Sequence, residues 1–150
     1  MNLYSLDEKL FRHCVGIVLL NAQQQIWLGK RIMGSWQFPQ GGVEETDTEI
    51  DTARRELYEE TGVISAHLIQ SSAVVYRYLF PSSHPYRTFI GQRIRYFLFI
   101  FDGNDKEINL HKHQPEFERW KWTTPQKAIP EIIAFKRDIA RNVLQEFALI

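Results

Sequence analysis

The amino-acid sequence predicts a mixed α/β domain in which one sheet of mixed strand direction is sandwiched by helices. Three observations carry that expectation. Several short runs are rich in β-branched and aromatic residues, two longer stretches repeat apolar residues at three- and four-residue steps, and the two kinds do not strictly alternate. The 150 residues suit a single domain spanning 1–150 with a sizeable core, and no repeat or linker-like stretch divides them.

Taken in order, "VGIVLL", "NAQQQ" and "IWLGKR" read as strand, turn and strand. From Thr48 to Thr61, a helix places Ile50, Ala53, Leu57 and Thr61 on one apolar stripe. Thr46 or Asp47 would cap its start, with Thr46 and Glu49 at capping-box spacing. Gly62 would end it, because glycine enters the left-handed conformation without a Cβ penalty. "SAVVYRYLF", "RIRYFLFIF" and "FERWKW" are three further predicted strands. Between the first two, "FPSSHPYRTF" reads as a surface loop on the strength of its prolines. A closing helix is expected from Pro130 to Phe147, with Ile132, Phe135, Ile139, Val143 and Phe147 on its apolar side.

Charge and cysteine content narrow the function. Lys plus Arg number 18 and Asp plus Glu number 18, which argues against a protein that coats long nucleic acid through a basic face. A grip on one phosphate-bearing end or on a nucleotide remains compatible with neutrality. The lone Cys14 forms no internal disulfide, and the apolar run from Cys14 to Leu20 is far too short to span a bilayer. A soluble cytoplasmic protein without a membrane partner is expected.

Most of the chemical information lies in "RRELYEETGV", Arg54 to Val63. At 100° per residue, Glu56, Glu59 and Glu60 share one helix face, away from the apolar stripe and so directed outward. Like charges at this spacing repel by a few tenths of a kcal/mol per pair, roughly. Two readings follow. One is a solvated face with ion pairs such as Asp51–Arg55 and Arg55–Glu59; the other is a divalent-cation site, since hard cations prefer carboxylate oxygens and bridge them to phosphates.

The preceding loop separates these readings. From Gly41 to Val63 the chain reads G-x5-D-x7-R-E-L-x-E-E-x-G-V. This resembles the Nudix box, G-x5-E-x7-R-E-U-x-E-E-x-G-U with U apolar, and departs from it only at Asp47. "WQFPQGG", Gly91–Gln92, "PEF" with "WKW", and "FKRD" extend the resemblance from Arg12 to Phe147. Together they are similar to the bacterial RNA pyrophosphohydrolases and the asymmetric dinucleoside tetraphosphate hydrolases within the Nudix hydrolases. The resemblance implies a Nudix-type α/β/α sandwich and hydrolysis of a nucleoside diphosphate linked to another group, with Mg²⁺, Mn²⁺ or another divalent cation as cofactor.

By the same resemblance, Glu56, Glu59, Glu60 and the distant Glu116 are metal ligands, with Glu56 or Glu60 as general base. Taken alone, Glu116 would be an ordinary surface acid. Gly41, Gly42, Arg55 and Gly62 are the structural positions of the box, the two adjacent glycines permitting a turn and a close approach. Asp47 is one methylene shorter than the usual Glu and equally suits a helix cap. Candidate substrate contacts are Arg12, Arg31, Gln40, Gln92, Lys136 and Phe135, with Lys30, Arg77 and Gln37 weaker ones. Phe135 suits base stacking or the core face of the last helix equally. Trp36 and Phe38 would anchor the loop before the box, and "HKH" at 111–113 is assigned no role.

The leading expectation is Mg²⁺-dependent conversion of the 5′-triphosphate end of RNA to a monophosphate. Hydrolysis of dinucleoside polyphosphates such as diadenosine tetraphosphate is the close alternative. A non-catalytic nucleotide- or RNA-end-binding module, and a housecleaning nucleotide triphosphatase, rank below them.

Overall fold

Strand β1 (Phe11–Leu20) runs through the middle of the molecule, and the remaining strands are arranged around it. The structure, a computed structural model, describes residues 2–81 and 88–150. Most of the predicted "FPSSHPYRTF" loop therefore lies outside the described residues. β2 (Ile26–Arg31), β6 (Gly91–Phe101) and β7 (Phe117–Thr123) occupy runs expected to be strands, and β5 (Ala66–Leu79) contains its expected run but begins at Ala66, six residues before it. Two very short strands, β3 (Trp36–Gln37) and β4 (Gln40–Gly42), were not expected, since two or three residues are too few to show alternation and β4 is Gln and Gly alone.

The sheet order is β3-β2-β1-β6-β5, with β4 paired to β1 and β7 paired to β2. β1 and β6 are parallel over ten residue pairs, from Phe11–Gly91 to Leu20–Ile100, and the other pairings are antiparallel. β1 and β2 meet only at Leu20 and Ile26, then diverge. Past that point β1 takes β4 as its neighbour, at Cys14–Gly42 to Gly16–Gln40, while β2 takes β3 and β7. The divergence opens a cleft in the sheet.

Side-chain alternation along β1 serves two cores. Val15, Ile17 and Leu19 pack with Ala53 and Leu57 of helix α1 (Glu49–Thr61) on one face. Cys14, Val18 and Leu20 pack on the other face with Ile139, Val143 and Leu144 of α3 (Arg137–Glu146). Both faces are covered, which is why the strand reads as a continuous apolar run. The expected α/β/α sandwich is present.

Several details differ from expectation. Thr48, not Thr46 or Asp47, caps α1, its Oγ1 accepting from the Asp51 N–H at 3.2 Å. Asp47 instead accepts from Arg55 Nη1 at 2.7 Å, so the predicted Asp51–Arg55 and Arg55–Glu59 pairs give way to a tie between the loop and the helix. Gly62 ends the helix as predicted, at φ +80°, with its N–H on the Tyr58 carbonyl. His13 Nε2 and Arg95 Nε both bind the Glu49 carboxylate, at 2.7 and 2.9 Å, fastening the start of α1 to β1 and β6.

The closing helix is not continuous from Pro130. A four-residue helix α2 (Pro125–Ala128), two 3₁₀ turns and an extended Ile132 precede α3, which begins at Arg137. Ile132 is drawn into a bridge with Trp36 and buried, so Phe135 sits on a 3₁₀ turn outside the helix rather than on its core face. Thr48→Ala should destabilise the fold by about 1 kcal/mol, lowering Tm by about 3 °C, while Thr46→Ala leaves it unchanged. Thermal melts of the two variants check this; an equal fall for Thr46→Ala would return the cap to that position.

Candidate active site

The cleft between the diverging strands holds a cavity of about 600 Å³. Its floor is β4. Phe38 anchors the approach to this strand, buried and edge-on to Tyr96, and the Pro39 carbonyl accepts the Ile17 N–H at 2.9 Å. Trp36 is only partly buried, between Arg119 and Lys121. Gly41 and Gly42 make no turn, since neither has positive φ; they are strand residues that admit close neighbours. A Cβ on Gly41 would lie 2.2 Å from Cδ of Glu56, and one on Gly42 would lie 2.4 Å from Nη2 of Arg12.

One wall is acidic. Glu56 lines the cavity, and Glu60 is buried at 4% exposure with Oε2 accepting the Gln40 N–H at 3.0 Å. These acids therefore turn toward β4 and are not presented outward to solvent. Burial, then the Glu59 carboxylate, raises the Glu56 carboxyl above its ordinary range, with Glu116 adding to the effect. Burial raises Glu60 further, and Glu56 and Glu116 add to it. Glu116 reaches the cavity from the loop before β7, its Oε2 3.4 Å from Arg31 Nη1. Arg55 lies 3.8 Å from Glu56 Oε1 while holding Asp47.

The opposite wall is cationic and aromatic. Arg12 comes from β1, Arg31 from the end of β2, and Lys136 from the turn before α3. Lys136 Nζ donates to Gln40 Oε1 at 3.2 Å, and desolvation in the cavity wall lowers its pKa to about 8. Phe135 packs against Tyr78 with ring centroids 5.6 Å apart and keeps 38% of its surface exposed. Gln92 lines the cavity but is buried, its Oε1 accepting from the Tyr78 hydroxyl and from Gln40 Nε2 at 3.4 Å. Gln37 also lines it, and its buried Nε2 finds no hydrogen-bond partner among the described residues.

Of the weaker candidates, Lys30 pairs with Glu118, and Arg77 donates to the Leu3 and Leu6 carbonyls; neither lines the cavity. His111 to His113 lie on an exposed turn. Tyr78 was missed, because as a strand aromatic it carries no sign of a site until β5 pairs it with Gln92.

Among the described residues, no three acidic, imidazole or thiol side chains converge tightly enough to enclose an ion as they stand. The donor set nonetheless fits a hard divalent cation. It is all carboxylate oxygen, Glu60 is buried among like charges, and such an ion keeps several waters between itself and its ligands.

A family model described as the NUDIX domain matches residues 10–147. The chain belongs to the NUDIX family. The RNA pyrophosphohydrolase of Rickettsia prowazekii is 41% identical over 144 residues, covering 91% of this chain and 89% of that protein. The NUDIX fold is shared with the E. coli dihydroneopterin triphosphate pyrophosphohydrolase, at a TM-score of 0.72 and 18% identity, over 90% of this chain and 95% of that one. A C. elegans Ap4A hydrolase binary complex superposes at a TM-score of 0.65 and 17% identity, over 91% and 99% of the two chains. NUDIX hydrolases generally use divalent cations.

The raised Glu60 carboxyl has a consequence for stability. The folded state holds this proton more tightly than the unfolded chain, so stability falls as pH rises from the ordinary glutamate range through the raised value. Glu60→Gln keeps the acceptor for the Gln40 N–H and removes the charge. In chelator at pH 8 it should melt on the order of 3 °C higher than the wild type, with the gain shrinking toward pH 5. Melting curves at both pH values check this, and an unchanged or lower Tm at pH 8 contradicts it.

Proposed function

We propose that this cavity removes phosphates from the 5′-triphosphate end of RNA and leaves a 5′-monophosphate, with Mg²⁺ as the usual cation and Mn²⁺ or another divalent ion as substitutes. The observation that carries the reading is the placement of an acidic wall and a cationic wall across one cavity, with an exposed aromatic on the cationic side. Polyphosphate needs cations along its length, and a nucleobase needs a flat apolar partner.

Arg12 and Lys136 grip phosphate oxygens, Arg31 stands beside Glu116 where the two walls meet, and Phe135 stacks the base. Glu56, Glu59, Glu60 and Glu116 would hold the cation, which supplies charge stabilisation at phosphorus and a more acidic water. Between the two candidate bases, Glu56 is the better placed. It lines the cavity, whereas Glu60 is buried and committed to the Gln40 N–H. Water attacks phosphorus and its proton passes to the Glu56 carboxylate; release of pyrophosphate gives the 5′-monophosphate in one step, whereas release of orthophosphate leaves a 5′-diphosphate that a second hydrolysis converts to the monophosphate.

Neutral overall charge suits a grip on one RNA 5′ end and equally a second reading, hydrolysis of dinucleoside polyphosphates, because neither needs a long basic face. The proposed setting is the reducing cytoplasm, because the single cysteine, Cys14, is a free buried thiol with no second cysteine to pair with. No helix among the described residues is long and apolar enough to cross a membrane.

A side-by-side assay of triphosphorylated RNA, diadenosine tetraphosphate and deoxynucleoside triphosphates with Mg²⁺ ranks the substrates. RNA monophosphate should form fastest, and Glu56→Gln should reduce its formation by about 10²–10⁴-fold. Turnover of a nucleotide with no RNA product would replace the first reading with the second.

A further inference from the structure

Gln40 sits at a junction. Its backbone N–H donates to Glu60 on the acidic wall, its side-chain Oε1 accepts from Lys136 on the cationic wall, and its Nε2 donates to Gln92. Gln92 Oε1 in turn accepts from the hydroxyl of Tyr78. The Tyr78 hydroxyl also lies within hydrogen-bonding reach of the Gln40 side chain, so Tyr78 is linked to Lys136 through two carboxamides, each with a donor end and an acceptor end.

The order of those ends matters. An ammonium has three donors and no acceptor, so Lys136 requires the oxygen of Gln40, not its nitrogen. That places the Gln40 nitrogen toward Gln92, which must then present its own oxygen. Lys136, donor-only, sets this direction, and Tyr78, whose hydroxyl can donate or accept, adds a second bond that holds Gln92 in it by donating to that same oxygen. Were Gln92 to turn over, its nitrogen would face Gln40; Gln40 would follow, and its Nε2 would point at the Lys136 ammonium. Two donors would then oppose each other in a desolvated wall, where an unmatched polar group is expensive.

We propose that Tyr78 is a positioning residue for substrate phosphate: its hydroxyl, through Gln92 and Gln40, holds the Lys136 ammonium at the cavity face opposite the carboxylates. Gln92, and Gln40 through its side chain, act in this relay rather than as direct contacts. The inference rests on the reading of Lys136 as a phosphate ligand. Tyr78 is buried and its ring packs on Phe135, with Lys136 Nζ 5.4 Å from the Tyr78 ring centroid. Tyr78→Phe keeps that ring and deletes only the donor. The Glu60 bond is to backbone, so the acidic wall keeps its geometry in the variant.

The test is a double-mutant cycle on KM and kcat for triphosphorylated RNA, combining Tyr78→Phe with Lys136→Met and following Tm throughout. Tyr78→Phe alone should raise KM about five-fold, the worth of one hydrogen bond, with kcat changed less than about two-fold. In the Lys136→Met background the same change should leave KM unaltered. A Tyr78→Phe effect that persists undiminished in that background, or falls on kcat instead of KM, overturns the relay while leaving Lys136 as ligand. If Lys136→Met alone leaves KM unchanged, the phosphate reading of Lys136 fails, and the relay with it. Gln92→Leu provides a second entry point. It too should raise KM only when Lys136 is present, and a KM increase of the same size without Lys136 counts against the proposal.

Discussion

The contact between strand β4 and helix α1 is the constraint on which the rest of the site depends. Two contacts of different kind define it: the hydrogen bond from the Gln40 N–H to the buried Glu60 carboxylate, and the close packing of the Glu56 carboxyl over the bare Cα of Gly41. A helix side chain can approach a strand backbone this closely only where no Cβ intervenes. The helix is held at that height by ties at its start, Thr48 at the cap, Asp47 on Arg55, and Glu49 between His13 and Arg95. It is held below by Ala53 and Leu57 in the core. Charge repulsion among the acids opposes this arrangement, and packing outweighs it.

The sheet supplies the other half. Because β1 and β2 separate after a single residue pair, the edge of β1 is free to take β4, and the gap beyond becomes the cavity. Arg12 on β1 and Lys136 before α3 then face the acids across it. Gln40 contributes to both walls at once, by its backbone and by its side chain. Phosphate affinity and the geometry of the acids are thereby joined through one residue.

What was legible in the sequence is what is local. Glu56, Glu59 and Glu60 share a helix face because their spacing says so, and Gly62 ends that helix because the left-handed position asks for glycine. The long strands announce themselves by composition. Where neighbouring residues compete for one role, the sequence is ambiguous: Thr46, Asp47 and Thr48 can all cap, and only the packed position of the loop chooses Thr48. Pairings over long separations were not legible. β3 and β4 exist through their partners, and Gln40 meets Gln92 and Lys136 at separations of 52 and 96 residues. The break before α3 also depends on a distant partner, since Ile132 leaves the helix to lie beside Trp36. The inward turn of Glu60 was misread for the same reason: helical periodicity reports which residues share a face, not what lies against it.

Gly41→Ala tests the central contact most directly, because it adds one methyl group where Cδ of Glu56 now lies, 2.2 Å from the ideal Cβ position. Turnover of triphosphorylated RNA and Mg²⁺ binding by titration calorimetry would be measured on the variant, with circular dichroism to establish that it folds. The expected result is a folded protein with turnover reduced at least about 10²-fold, since a displacement near 1 Å at a reacting group has an effect of that size, and with weakened Mg²⁺ binding. A folded Gly41→Ala variant that binds Mg²⁺ and turns over within about two-fold of the wild type would contradict the dependence of the site on this contact.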